Sequence, residues 1–366
     1  NIDIHVILSI SLLTSIFQSF VLNLTRLKGK GIFYSFLLIL ETLSYSIFAI
    51  VFAIFVEKTF LTLIFAQLVS NLTVVIFGVI FEKDYWFNLR IDLNLAKEII
   101  KFGAPYSIIG ISWLLFNWTD RIVLRMFVDF HEIGLYSAAF KLVTIINMFN
   151  SGFITLWFPF AYEQFEKKTE FENKYIFLRA FDFVSFGMFS LGFLILLFKD
   201  AIFIIFAKDY RPAASISPFL FLSPIMISLE VIVGRGIDFV KKTNWFIVIY
   251  LSATIMNLAG NFILIPFFGA KGAAISTGLS TLFLFAFESN VSYKLYPIEY
   301  NTKRLYKTVG LFILVAVICT FFSSIISILF SIFGLIMTMI FYKKEFITTL
   351  TELKKYLGKM GILRKQ

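Results

Sequence analysis

Apolar stretches of roughly twenty residues, parted only by short polar breaks, run through this chain from end to end, and a bilayer core of about 30 Å takes about that many helical residues. They fall at 5–25, 33–55, 60–81, 103–128, 133–162, 176–198, 213–235, 245–267, 272–293, 306–323 and 325–342. No soluble domain fits between any two of these eleven segments. The weakest boundaries are the split at Ser323-Ser324 and the stretch 199–212, where Ala201 to Phe206 reads as interfacial. The pattern predicts an all-α integral membrane protein, a polytopic transmembrane helix bundle. Composition agrees: 59% of residues are apolar and 15% charged, against about 45–50% and about 25% in soluble domains. A mean hydropathy of +0.87 excludes a soluble enzyme, a disordered chain and a disulfide scaffold. The single cysteine, Cys319, has no partner within the chain, and two histidines, His5 and His131, leave a zinc site almost nothing to bind with. Neither a metal nor a cofactor is expected. The start, Asn1-Ile2-Asp3, has no initiator methionine, basic n-region or cleavage site, so it reads as a fragment lacking upstream sequence rather than a signal peptide.

The net charge of +10 would point to nucleic acid in a soluble protein, but its distribution points to lipid. Alternate breaks hold 25 of the 33 Lys and Arg residues, and the intervening breaks hold 5. Such alternation is the positive-inside rule obeyed along the whole map. It places the amino end of this sequence outside and the carboxyl end in the cytoplasm, in the cytoplasmic membrane, with basic loops facing anionic lipid. Nucleic acid is not needed as a partner. After Tyr342, Phe346, Leu350, Leu353 and Leu357 share one helical face while Lys354, Lys355 and Lys359 lie elsewhere on the turn. This tail, 343–366, reads as a cytoplasmic amphipathic anchor.

Three cations remain inside spans, Arg121, Arg125 and Lys141, with Asp120 beside them. A charge at the bilayer centre costs about 2.5–3.5 kcal/mol even on lenient scales, so such groups pair internally or face a wet cavity. Asp120, Arg121 and Lys141 lie at matching depths, about 10–12 Å from the outer ends of two antiparallel helices joined by Asp129-Phe130-His131-Glu132. One carboxylate can lock two helices through an ion pair with Lys141 or a neighbouring arginine, but it cannot neutralise three cations. Arg125, close to the helix end, also has room to snorkel to the headgroups. The surplus invites an anion, and arginine's planar fork suits phosphate oxygens. Elsewhere, Glu41 lies mid-span and Glu230 in a span broken by Pro218 and Pro224. Each suits a coupling proton or cation, or an interhelical hydrogen bond. Asp182, three residues from Arg179, reads as a surface pair, and Glu288 as solvated near the inner interface.

The run Ile100-Lys101-Phe102-Gly103-Ala104-Pro105, then Asn117-Trp118-Thr119-Asp120-Arg121, Ile133-Gly134-Leu135-Tyr136-Ser137 and Trp157-Phe158-Pro159-Phe160 form an ordered set. Asn257-Leu258-Ala259-Gly260-Asn261, Ile265-Pro266 and Gly269-Ala270-Lys271-Gly272-Ala273-Ala274 continue it, and Gln18 to Gly31 precedes it. Together they resemble the polysaccharide biosynthesis (Wzx-like) oligosaccharide flippases of the multidrug/oligosaccharidyl-lipid/polysaccharide superfamily. The resemblance implies a MATE/MurJ-like two-lobe architecture of fourteen spans, of which this chain would hold helices four to fourteen, with a truncated N-lobe. It divides the chain into the rest of that lobe (1–85), a cytoplasmic connection (86–102), a six-helix lobe (103–297), two extra helices (298–342) and the tail.

What the resemblance implies is a transporter, not an enzyme. It would flip an undecaprenyl-diphosphate-linked oligosaccharide, such as an O-antigen or capsule repeat unit, by alternating access. Asp120, Arg121, Arg125 and Lys141 would line its cationic cavity. Its partners would be that lipid-linked oligosaccharide, anionic lipids and a polysaccharide polymerase or export machinery. The alternative in the same superfamily is a cation-coupled multidrug antiporter, whose cavity is usually rich in carboxylates. A membrane-embedded glycosyltransferase or polymerase would show a large outer loop or clustered acidic and histidine residues, and neither is present.

Overall fold

The computed structural model describes residues 4–55, 60–86 and 92–359, without the side chains at 4–5, 27, 84, 101–106, 108–109 and 353–359. Asn1, Ile2, Asp3, Lys58, Arg90, Arg364 and Lys365 therefore lie outside the described residues. So do the side chains of Phe102, Pro105, Leu353 and Leu357. Among the described residues all regular structure is helical. Nine helices among the described residues are long and apolar enough to cross a membrane. A tenth, Leu93–Phe127, carries Asp120, Arg121 and Arg125, and one of the nine, Asn244–Leu295, contains a break at Gly269. Counting the two sides of that break separately gives eleven long helical segments among the described residues: α1 (Ile4–Leu27), α2 (Gly31–Phe55), α3 (Phe60–Phe81), α4 (Leu93–Phe127), α5 (Phe130–Lys167), α6 (Glu170–Phe203), α7 (Ser217–Phe239), α8 (244–268), α9 (270–295), α10 (Thr302–Phe321) and α11 (Ser324–Phe341). The amphipathic helix α12 (Lys343–Lys359) follows.

Several helices outrun their apolar cores. α4, α5 and α6 have 35, 38 and 34 residues, roughly 50–57 Å at 1.5 Å per residue, well beyond a 30 Å core. Hydropathy marks only the stretch in hydrocarbon, whereas backbone hydrogen bonding continues into water. α4 begins at Leu93, ten residues before the span the hydropathy marks, because the Asp92 carboxylate caps it, accepting from the Asn94 and Leu95 amides at 2.9 and 3.2 Å.

The chain divides into two compact units at Glu98/Ile99. In the first, α3 packs against both α1 and α2 along a seam of small and polar residues, Ser44, Ala66, Ser70 and Asn71 among them. Ser70 donates to the Glu41 carbonyl at 2.8 Å and lies 3.0 Å from the Ser44 hydroxyl. In lipid such close packing and hydroxyl bonding hold helices together, since hydrocarbon tails are as apolar as leucine. At the end of α3 the Glu82 carboxylate, 7% exposed, meets Lys28 at 2.6 Å and also Lys30. These two ammonium groups hold its carboxyl below the usual glutamate range.

In the second unit α7 is the central helix, with nearly every residue of its span buried. Around it Phe177, Phe189, Phe193 and Phe312 fill the core, and the Phe193 and Phe312 rings stand 5.0 Å apart. Asn150 of α5 donates to the Pro224 carbonyl at 2.9 Å, a carbonyl that Ser228 also reaches at 2.7 Å. The break between α8 and α9 is made by Gly269, whose φ of +53° lies in the left-handed region where a Cβ is penalised. A Cβ there would also stand 2.3 Å from Glu132 Oε2, which accepts the Ala270 amide at 2.8 Å and so caps α9.

Two expectations are corrected. Asp182 pairs with Arg304, not with Arg179, whose guanidinium lies over the Phe183 ring. Arg304 also reaches the buried Glu345 of α12 at 3.3 Å, so tertiary packing supplies a better partner than the helix neighbour does. Glu288 is 1% exposed rather than solvated, because α7 closes over it.

Two predictions follow from these contacts. Gly269→Ala should lower stability by about 1–2 kcal/mol, read from unfolding of the detergent-solubilised protein; an unchanged transition would show that the break tolerates a side chain. For Glu82, the carboxyl is held low in the folded state, so its contribution is present above the usual glutamate range of about 4.3 and is lost as pH falls through the lowered value. The stability gap between the parent and Glu82→Gln should be present at neutral pH and vanish in acid. A gap independent of pH would exclude the ion pair as its source.

Candidate functional site

Asp120, on α4, is 2% exposed and sits in hydrocarbon depth with no cation on it. Its carboxylate is held by neutral donors. The Tyr136 hydroxyl of α5 donates to Oδ2. Thr277 of α9 donates to the same oxygen at 2.8 Å, and Asn261 of α8 donates to Oδ1 at 2.7 Å. Asn261 also donates to Asn257 Oδ1 at 3.2 Å, and Ser276 donates to the Asn257 carbonyl at 2.9 Å. Four helices therefore converge on one carboxylate. The i, i+4 spacing of Asn257 and Asn261 puts both on one face of α8, and Gly269 turns α9 back so that Thr277 meets that face. The surrounding donor set is rich in hard oxygens: a carboxylate, two amides, the Thr277 hydroxyl and the Ala273 carbonyl 3.0 Å from it. Among the described residues, the buried Asn261 Oδ1 has no hydrogen-bond partner. Such oxygens suit a hard monovalent or divalent cation, in contrast to His/Cys chemistry. Among the described residues no group of three or more His, Cys, Asp or Glu is placed to hold a metal ion.

Each sequence-marked cation has another environment. Arg121 is half-buried; it donates to the Asn117 carbonyl at 3.1 Å and lies 5.3–5.7 Å from the Trp118, Tyr136 and Phe140 ring centroids. Cation–π contacts of this kind hold a guanidinium without cancelling its charge. Arg125 is exposed over the Phe130 ring at 4.1 Å. Lys141 is exposed on α5, one residue past Phe140. Among the described residues, none of the three forms an ion pair with a carboxylate. Arg121 and Asp120 thus share a turn of α4 but not a bond. Glu41 is half-buried on α2, in the first unit, and Glu230 is buried on α7, accepting from the Tyr250 hydroxyl.

Sequence reasoning named Asp120 but missed its partners. Tyr136, Asn257 and Asn261 stood inside the quoted motifs; paired amides at i, i+4 in an apolar span were a legible signal. Thr277 had none, since a lone threonine in a helix usually bonds its own backbone.

These elements define a polytopic helical membrane protein with the fold of a known flippase. The solved structure of lipid II flippase MurJ in an inward closed conformation matches it with a TM-score of 0.65 over 92% of this chain and 73% of that one, at 14% identity. The family model described as "Polysaccharide biosynthesis protein" matches residues 1–164. A probable low-salt glycan biosynthesis flippase, Agl15 of Haloferax volcanii, is 24% identical over 203 residues, 53% of this chain and 43% of that protein. Membrane protein MJ1068 of Methanocaldococcus jannaschii is 26% identical over 296 residues, 76% of this chain and 57% of that protein. The chain thus spans about half the length of these curated relatives. Its resemblance to the polysaccharide biosynthesis flippases of the multidrug/oligosaccharidyl-lipid/polysaccharide superfamily, first carried by short motifs, is borne out by sequence and by fold.

Tyr136→Phe takes one of three donors from a buried carboxylate, which should cost about 1.5–3 kcal/mol of stability. Lys141→Ala, at an exposed position, should stay within about 0.5 kcal/mol. Unfolding transitions of the two variants compared with the parent decide this; equal effects would mean that the Asp120 cluster does not hold the four helices.

Proposed function

We propose that the protein carries a lipid-linked oligosaccharide across the cytoplasmic membrane by alternating access, with Arg121 and Lys141 engaging the anionic phosphate of a polyprenyl carrier such as undecaprenyl diphosphate. The observation that supports this most is the disposition of charge around Asp120. Three neutral donors satisfy that carboxylate, so it does not serve as the counter-ion of Arg121, Arg125 or Lys141. A cation in the membrane without an internal counter-ion needs one from outside, and a diphosphate offers several charged oxygens to a guanidinium fork. The aromatic rings beside Arg121 dry the site and strengthen that attraction. Asp120 and its oxygen-rich neighbours are suited to bind the cation that drives the cycle, tying α4, α5, α8 and α9 together when occupied. The family match and the glycan flippase among the relatives support the same substrate class. The cytoplasmic carboxyl end, the polymerase or export partner and the division at 86–102 belong to this reading.

A complementation assay in cells lacking the gene tests it. Arg121→Ala and Lys141→Ala should each abolish surface glycan while membrane abundance, followed by immunoblot, stays at the parent level. Arg121→Lys should restore only part, since a point charge replaces a bidentate fork. Normal surface glycan with both alanine variants would overturn the assignment of these cations to the substrate.

A further inference from the structure

A second group of ionisable side chains lies about 16 Å along α9 from Thr277, eleven residues further on at 1.5 Å each. Glu288, 1% exposed, points from α9 at α7 beside Gly234, one turn along that helix from Glu230, which is 6% exposed. The Tyr250 hydroxyl of α8 donates to Glu230 Oε1. Among the described residues, no donor satisfies either oxygen of Glu288. Two ionised carboxylates have only acceptors to offer each other, so a proton is the missing donor. Gly234 makes the approach possible: a Cβ at that position would stand 2.0 Å from Glu288 Oε1. α7 is thus built to admit this carboxyl group at close range.

The charges around the pair do not neutralise it. From α7 come Arg235 and Asp238, from α8 Tyr250, and from α5 Tyr162, whose ring stands 6.0 Å from that of Phe239. Arg235 is the cation of the group, and it is committed elsewhere: its guanidinium pairs with Asp238, donates to the Val231 carbonyl at 3.2 Å and covers the Phe158 ring at 4.2 Å. Three carboxyl groups therefore surround one guanidinium. Two buried negative charges side by side cost more than a site can repay, and one shared proton relieves both the repulsion and the unmet acceptors.

We infer that Glu230 and Glu288 form a proton-binding site, a carboxylic acid–carboxylate pair that holds one proton between α7 and α9. The proton bonds to one carboxyl oxygen and is donated in a hydrogen bond to the other group, while Tyr250 fixes Glu230 from its far side. Loss of that proton sets two charges against each other at the Gly234 contact and loosens α7 from α9. Proton binding at the pair stands whatever the protein transports; its use in driving a transport cycle rests on the reading of the protein as a transporter.

Infrared difference spectroscopy of the purified full chain in nanodiscs, titrated across neutral pH, tests the site without any glycan. A protonated-carboxyl C=O band is expected at neutral pH, moving to lower frequency when glutamate carboxyls are labelled with carbon-13. Glu230→Gln and Glu288→Gln should each abolish it, because an amide then supplies the donor and the remaining glutamate ionises. Asp120→Asn should leave it in place. Absence of the band from the wild-type protein, or a band that does not shift with labelled glutamate, would overturn the inference without need of any variant. A labelled band persisting in both glutamine variants would overturn it equally.

Discussion

Hydrocarbon supplies no hydrogen-bond partner, and every polar group this chain carries into the membrane has to find one inside the protein. Helices answer that requirement for the backbone. Side chains need tertiary solutions, and each unit has its own. The first uses hydroxyls, with Ser44 and Ser70 meeting across α2 and α3. The second uses a carboxylate: Asp120 draws Tyr136, Asn261 and Thr277 from three other helices onto itself. Without those donors a buried charge would stand alone, so the placement of α4, α5, α8 and α9 is bound up with this single residue.

The same requirement separates the two ionisable groups of the second unit by chemistry. Around Asp120 there are donors enough, and the unspent oxygens are neutral amides and carbonyls, a setting for a hard cation. Around Glu230 and Glu288 the acceptors outnumber the donors, a setting for a proton. Two sites that both draw on α8 and α9 thus differ in what they lack. Gly269 lets α9 fold back on α8, and Gly234 lets Glu288 enter α7. Both are backbone provisions that make polar chemistry possible in lipid.

Cations are handled differently from carboxylates. Arg121, Arg125 and Arg235 all lie over aromatic rings, and the chain has 49 phenylalanines to provide them. Ring faces steady a guanidinium and leave its N–H groups free to bond. Where a carboxylate is within reach an ion pair is added: Arg235 meets Asp238, and Arg304, itself over the Tyr342 ring, joins Asp182 of α6 to Glu345, fastening α12 to the bundle. The amphipathic helix is therefore tied down by a buried ion pair in addition to its apolar face.

Hydropathy alone determined that the chain is an all-helical membrane bundle, because lipid thickness fixes segment length and excludes other backbone arrangements. It also exposed Asp120, Arg121, Arg125 and Lys141, since a charge in an apolar run is conspicuous. Helix ends escaped it: α4 starts at the Asp92 cap, in water, where hydropathy carries no signal. Partnership escaped it as well. Asp120 had a lysine and two arginines within reach by depth, yet three neutral side chains bond it, because helix rotation decides which faces meet. Glu288 looked solvated by its distance along the helix and is enclosed because α7 bears a glycine opposite it. Sequence fixes depth along a span, which follows from counting residues; only tertiary packing fixes azimuth, and hydrogen bonds depend on both.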